Sequence, residues 1–271
     1  MLKWRLLTAL CLIPLVIWGI LRLGTIPFAC LSGAILLIGA HEWTALCPFP
    51  KRWQQAAFMV LFALIGLGLY LVQSAIVLWL SLIFWLSAGV GLYRYKGQVP
   101  AWLMSSTVRA VMGLFVLSSA FYGLNALREQ TNGPLWLIVC LILIWSTDTF
   151  AYFTGRLLGK RPLAPLVSPK KTLEGFWGGL IGTILLATGS YFAHFLPSHS
   201  FGMGFWLVLT MGTILLSVIG DLFESLMKRL AGVKDSGKLL PGHGGILDRL
   251  DSLFAAVPFF ALMMTWLQRG L

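Results

Sequence analysis

Asp221 and Glu224 stand three residues apart, Ser225 lies one turn past Asp221, and Lys228 follows at i+7. On a helix, residues at these spacings share one face. Asp248 and Asp251 repeat the three-residue spacing. Between the pairs run Lys228-Arg229, Lys234-Asp235-Ser236-Gly237-Lys238 and Pro241-Gly242-His243-Gly244-Gly245, closed by Asp248-Arg249-Leu250-Asp251. A glycine-rich turn exposes backbone N–H groups that can form an anion nest. Lys and Arg beside it bring charge and forked donors to phosphate oxygens. Two helix-borne carboxylates can hold Mg²⁺, which takes one or two carboxylates plus substrate phosphates. Nest, cations and hard-metal acids within the 31 residues 221–251 suit a nucleoside triphosphate.

A second polar stretch reads the same way. Asp148 ends an apolar run, followed by Arg156, Lys160, Arg161 and Ser168-Pro169-Lys170-Lys171-Thr172-Leu173-Glu174-Gly175. Thr172, Glu174 and the glycine predict a helix start whose positive end lies near Lys170 and Lys171, again favouring phosphate. A solvated basic loop is the alternative for this segment. For Asp251 the alternative is an interhelical ion pair or a helix cap. His243 is either a phosphate donor or a turn residue.

Other patterns fail. Gly155 to Arg161 lacks the spacer and the Ser/Thr of a nucleotide-binding P-loop, and His41-Glu42 lacks the second His of a zinc protease helix. His194 and His199 have no partner acids nearby in sequence.

The elements that must carry these residues are apolar. Of 271 residues, 58% are hydrophobic and 11% charged. A soluble domain averages roughly 45–50% apolar and about 25% charged. A soluble enzyme is excluded, and so is a disordered chain, given 12 Trp and 18 Phe. Continuous apolar runs such as 60–71 argue against a β-barrel, whose strands alternate. The expected fold is all-α: a polytopic integral membrane helical bundle of about nine transmembrane helices, at 6–21, 25–46, 55–72, 75–92, 108–127, 134–154, 173–195, 202–226 and 250–268. It is read as a single membrane domain over 1–271, with N-terminal helices in 1–130 and catalytic helices and loops in 134–271. Residues 6–21 are read as a first membrane helix rather than a leader, because no small-x-small cleavage site follows. The turn at Gln73 and Ser74 predicts a hairpin of the third and fourth spans. Two overlapping G-x-x-x-G pairs, Gly175/Gly179 and Gly178/Gly182, predict close packing of the seventh span deep in the bundle.

The net charge is +11. With no basic-aromatic module, nucleic-acid binding is not expected. Loop cations set membrane orientation instead. With a cytoplasmic N-terminus, 17 Lys and Arg fall in cytoplasmic segments, against only Arg22, Arg128 and Arg269 outside. That places the C-terminus outside and both polar loops, 155–172 and 227–249, in the cytoplasm. Trp4, Trp53, Trp102, Trp136 and Trp266 fall near span ends and read as interfacial anchors. Cys11, Cys30, Cys47 and Cys140 show no metal or redox spacing.

An acid at mid-bilayer costs about 2.5–3.5 kcal/mol and reads by default as functional. Seven of the nine acids lie in or at the ends of spans: Glu42, Asp148, Glu174, Asp221, Glu224, Asp248 and Asp251.

The run from Ser225 to Asp251 resembles the signature of the phosphatidate cytidylyltransferase family, also called CDP-diacylglycerol synthases, without departure over 27 residues: Ser225-x-Met227-Lys228-Arg229-x4-Lys234-Asp235-x-Gly237-x2-Leu240-Pro241-x-His243-Gly244-Gly245-Ile246-x-Asp248-Arg249-Leu250-Asp251. Asp148, the Ser168 to Gly175 segment and Ile219-Gly220-Asp221 are similar to that family too, so the resemblance covers roughly 145–255. It implies transfer of a cytidylyl group from CTP to phosphatidate, giving CDP-diacylglycerol and pyrophosphate in phospholipid biosynthesis. It implies Mg²⁺, with K⁺ as a candidate second cation, a homodimer, and a bacterial inner membrane with the site facing the cytoplasm. Asp221 and Asp248 would be the metal ligands and, with Lys228, Arg229 and Asp251, the catalytic set. Ser168, Lys170, Lys171, Lys234, His243, Gly244, Gly245 and Arg249 would surround the phosphates. Asp148, Glu174, Glu224, Ser225 and Asp235 would support the site. A CTP-dependent polyprenol or lipid kinase and a membrane transporter are the rival readings.

Overall fold

A computed structural model describes residues 13–49, 51–193, 201–237, 239 and 244–270, with 269 and 270 described by backbone alone. His243, Lys238, Pro241, Trp4, Cys11, His194 and His199 lie outside the described residues. Among the described residues nine α-helices follow in order: α1 (Ile13–Arg22), α2 (Thr25–Leu46), α3 (Arg52–Val72), α4 (Ile76–Arg94), α5 (Ser106–Arg128), α6 (Gly133–Leu158), α7 (Leu173–Phe192), α8 (Met203–Leu230) and α9 (Leu247–Gly270). Among the described residues, seven are long and apolar enough to cross a membrane. The other two are α1, described from Ile13 to Arg22, and α7, whose glycines and Glu174 dilute its apolar character. The helices sit where the apolar runs predicted them.

The bundle is built around α5 and α9, the most buried of the spans, while α3 and α4 are the most exposed. α5 packs on α9, α2 and α3; α9 packs on α8, α5 and α4. Two arginines, at the two ends of α5, satisfy carbonyls left over where neighbouring helices end. Arg109 donates to the carbonyls of Leu103 at 2.8 Å and Leu46 at 3.1 Å. Arg128 donates to the carbonyls of Ile20 and Leu23 and lies over the ring of Phe28.

Some expectations are corrected. Gln73 makes the tight turn between α3 and α4, with φ of 50°, but the helices diverge instead of forming a packed hairpin. The inward face of α3, Phe58, Phe62 and Gly66, meets α2 and α5. That of α4, Leu78, Ser81 and Trp85, meets α8, α9 and α5. Trp136 is not an exposed anchor: it is buried against Phe201 and Phe260. Trp53, Trp102 and Trp266 are exposed, as an interfacial position requires. Within the polar loop 155–172, an antiparallel hairpin forms from β1 (Pro162–Ala164) and β2 (Ser168–Thr172), with Pro162 opposite Thr172 and Ala164 opposite Ser168. It leads directly into α7, where the Thr172 hydroxyl caps the helix by accepting the Gly175 N–H at 3.1 Å.

The glycines of α7 do pack closely, against α6: a Cβ on Gly178 would lie 2.2 Å from the Thr154 hydroxyl oxygen. The helix is nevertheless peripheral in the chain, because Trp177, Ile181 and Leu185 on its other side are exposed. Small residues bring a helix close to one neighbour and say nothing about its opposite face. Gly178→Val should therefore wedge α6 from α7 and lower stability by about 1–3 kcal/mol or more. A thermal unfolding midpoint in detergent unchanged from wild type would contradict this packing.

Candidate active site

Three segments meet at one end of the bundle: the hairpin with the start of α7, the C-terminal turns of α8, and the N-terminus of α9 with the glycine-rich segment before it. Asp221 and Asp248 each carry a lysine. The Lys171 ammonium at the end of β2 forms an ion pair with Asp221 of α8, whose other carboxylate oxygen faces the Ser225 hydroxyl at 3.4 Å. The Lys228 ammonium donates to Asp248 at 2.6 Å and to Glu224 at 3.1 Å. The i, i+4 spacing of Glu224 and Lys228 is realised on one helix face.

Asp248 is oriented on every side. One oxygen meets Lys228; the other accepts the backbone N–H of Ser236 at 3.0 Å and of Gly245 at 2.8 Å. The contact to Gly245 has the form of half a capping box at the start of α9. Ser236 and Gly245 are thus both tied to an acid of the helix they precede. Asp251, one turn on, lies in the electrostatic field of Asp221, Glu224 and Lys171. Asp148, on α6, lies in the field of Lys171, Asp221 and Arg249. The Glu224 side chain is 1% exposed, and one of its oxygens has no hydrogen-bond partner.

Beside this cluster opens a cavity of about 480 Å³. Asp148, Arg156, Ser168, Lys170, Lys171 and Tyr152 line its polar part, with Phe176, Leu163 and Val218 among its apolar walls. It therefore joins a basic, phosphate-compatible surface to apolar walls of the helical bundle.

The other candidates take different places. Lys234, Asp235, Arg229 and Arg249 are exposed around the cluster, and Arg229 reaches back to the hairpin, its Nε donating to the Val167 carbonyl at 3.3 Å. Glu174 faces the hairpin instead of the carboxylate cluster, accepting the N–H groups of Lys160 at 3.0 Å and Arg161 at 3.1 Å and the Arg161 side chain. Gly244 and Gly245 lie in the turn against Asp248 and Glu42. Glu42 was singled out in the sequence only as an acid in an apolar span; no short motif connects it with residues some two hundred positions away. The fold brings it beneath the glycine-rich segment, where Ser236 Oγ donates to it at 3.2 Å.

The donor set fits a hard divalent cation. The two aspartates offer only oxygen, and each already draws an ammonium group, so both positions attract positive charge. Among the described residues no three acids, histidines or cysteines form a closed metal cage. An ion here would have to complete its shell with substrate oxygens and water, as Mg²⁺ does with phosphates.

A model of the Cytidylyltransferase family matches residues 3–267. The phosphatidate cytidylyltransferase of Pseudomonas aeruginosa is 40% identical over 269 residues, covering 97% of each chain. That of Haemophilus influenzae is 36% identical over 284 residues, covering 96% of this chain and 98% of the relative. That of Staphylococcus epidermidis is 41% identical over 155 residues, 55% of this chain and 57% of its own.

Proposed function

We propose, from the premise that the chain belongs to the cytidylyltransferase family, that it transfers a cytidylyl group from CTP to phosphatidate and releases pyrophosphate. It is an integral membrane nucleotidyltransferase of phospholipid biosynthesis. The observation that carries this from the structure is the meeting of Asp221, Asp248, Lys171 and Lys228 beside a cavity that is basic in one part and apolar in another. A triphosphate needs the first part; a diacyl lipid that stays in the bilayer needs the second.

In the reaction, an oxygen of the phosphatidate phosphate forms a bond to the α-phosphorus of CTP, and the bond from that phosphorus to the bridging oxygen of pyrophosphate breaks. The monoester is already largely ionised at neutral pH, with a second pKa near 6, so no side chain has to remove a proton. The difficulty is gathering several negative charges in line. Positioning and electrostatic neutralisation carry such a reaction. Lys171 and Lys228, each paired with carboxylate oxygens, would be the ammonium groups that meet the phosphates. Lys170 and Arg156 add charge along the cavity wall. Asp221 and Asp248 would hold Mg²⁺, which when bound neutralises phosphate charge and steadies the leaving pyrophosphate. Asp148 and Asp251 lie beside these groups as supporting residues.

We further assign the site to the cytoplasmic face of a bacterial inner membrane. The sidedness of Lys and Arg supports this: 17 of 20 fall on the side of the site when the N-terminus is inside. A homodimer is proposed from the family resemblance and is checked by the mass of the detergent-solubilised protein.

The test is purified protein with CTP labelled in the cytosine, phosphatidate and Mg²⁺ in detergent. A labelled liponucleotide and stoichiometric pyrophosphate are expected. Release of CDP would instead indicate a kinase, and lipid or solute flux without CTP turnover a transporter.

A further inference from the structure

We propose that Glu42, on α2 in the N-terminal half of the chain, is a positioning residue for Asp248. The inference rests on the reading of Asp248 as a carboxylate of the metal and phosphate site. The Glu42 side chain is buried, and it makes no ion pair among the described residues. Its two oxygens are taken up entirely by donors of the catalytic segment. One accepts the Ile246 N–H at 3.0 Å; the other accepts the Leu247 N–H at 2.9 Å and the Ser236 hydroxyl at 3.2 Å.

Two consequences follow from that geometry. First, Ile246 and Leu247 open α9, where N–H groups have no partner within the helix. A carboxylate there is a cap supplied from another helix, and it fixes where the first turn of α9 begins. Asp248 lies on that turn, and Asp251 follows one turn on. Second, Ser236 belongs to both acids. Its hydroxyl donates to Glu42 while its backbone N–H donates to Asp248. Glu42 thus holds Asp248 by two routes, through the helix start and through Ser236. Gly237 and Gly245 pass so close that a Cβ on either would lie 2.3–2.4 Å from a Glu42 oxygen. The segment is therefore shaped around this carboxylate.

A merely structural acid would matter through the amount of folded protein. A positioning residue should change what the folded protein requires. In Glu42→Gln, one end of the new amide presents N–H to the Ile246 N–H or to the Leu247 and Ser236 donors, so part of the clamp is lost. Residues that orient metal ligands typically change metal affinity or activity by about 10–100-fold. Three measurements decide the matter on the full-length protein in detergent: the Mg²⁺ concentration for half-maximal cytidylyl transfer, the KM for phosphatidate, and amide hydrogen exchange at Ile246 and Leu247. In Glu42→Gln, and more so in Glu42→Ala, the Mg²⁺ requirement should rise about tenfold, the KM for phosphatidate should stay as in wild type, and both amides should exchange faster. Loss of activity only in proportion to the loss of folded protein, with the Mg²⁺ requirement unchanged, would overturn the proposal. So would wild-type protection of the two amides in either variant. If the wild-type protein itself shows no Mg²⁺-dependent transfer, the functional reading fails, and the exchange measurement still decides the clamp.

Discussion

Asp248→Ala should leave a folded membrane protein with cytidylyl transfer reduced by at least about 10²–10³-fold, the scale on which a single preorganised electrostatic contact in an active site is worth. Asp248 gathers more of the site than any other side chain described. It holds the Lys228 ammonium, and it accepts the backbone N–H groups of Ser236 and Gly245. Its removal takes away a proposed cation ligand, frees Lys228 to pair with Glu224 alone, and unties Ser236 and Gly245 from α9. Asp221→Ala should lose activity comparably, since it removes the other carboxylate and releases Lys171. Folding is checked separately by the elution profile and by fluorescence of the 12 tryptophans. Near-normal turnover by either purified variant would reject the assignment of these aspartates.

Lys228→Met should damage stability as well as activity. Among the described residues Lys228 is the one ammonium shared by Glu224 and Asp248, and all three side chains are nearly inaccessible, at 11%, 1% and 10% exposure. Taking one partner from a buried charge cluster leaves the others uncompensated, at a cost on the order of 3–5 kcal/mol. The thermal midpoint in detergent should fall by about 10 °C. Adding Glu224→Gln to Lys228→Met removes one of the two orphaned charges, while Asp248 keeps its two backbone N–H donors, so the double variant should recover part of the lost stability. It should stay inactive, because the donor proposed to meet the phosphates is still missing. If the single variant melts like wild type, or if the double variant melts no higher than the single, the ion cluster does not hold this end of the bundle together.

The architecture was legible because apolar length alone decides what a segment does in a bilayer. Each helix lies at an apolar run. The pairing of the helices was not legible. Gln73 permits a tight turn, yet α3 and α4 diverge, because turn geometry constrains two residues while packing depends on the whole face of each helix. The glycines of α7 announced a close neighbour but not that the other face would be left exposed. Trp136, close to a span end, was read as an anchor and is buried, since distance along the chain does not tell which way a ring points.

Local spacing by itself determined much of the site. Asp221, Glu224, Ser225 and Lys228 share a helix face because of the helical repeat, and Thr172 caps α7 because a hydroxyl at that position can reach the Gly175 N–H. Only the tertiary structure decided which acid meets which cation. The Lys171 pair with Asp221 and the Lys228 pair with Asp248 join segments that are 50 and 20 residues apart. Only the tertiary structure also brought Glu42 to Ile246 and Leu247, 204 and 205 residues away. The reason is physical: helical periodicity relates residues within a turn or two, whereas contacts between distant helices depend on how whole surfaces pack, and no short stretch of sequence contains both surfaces.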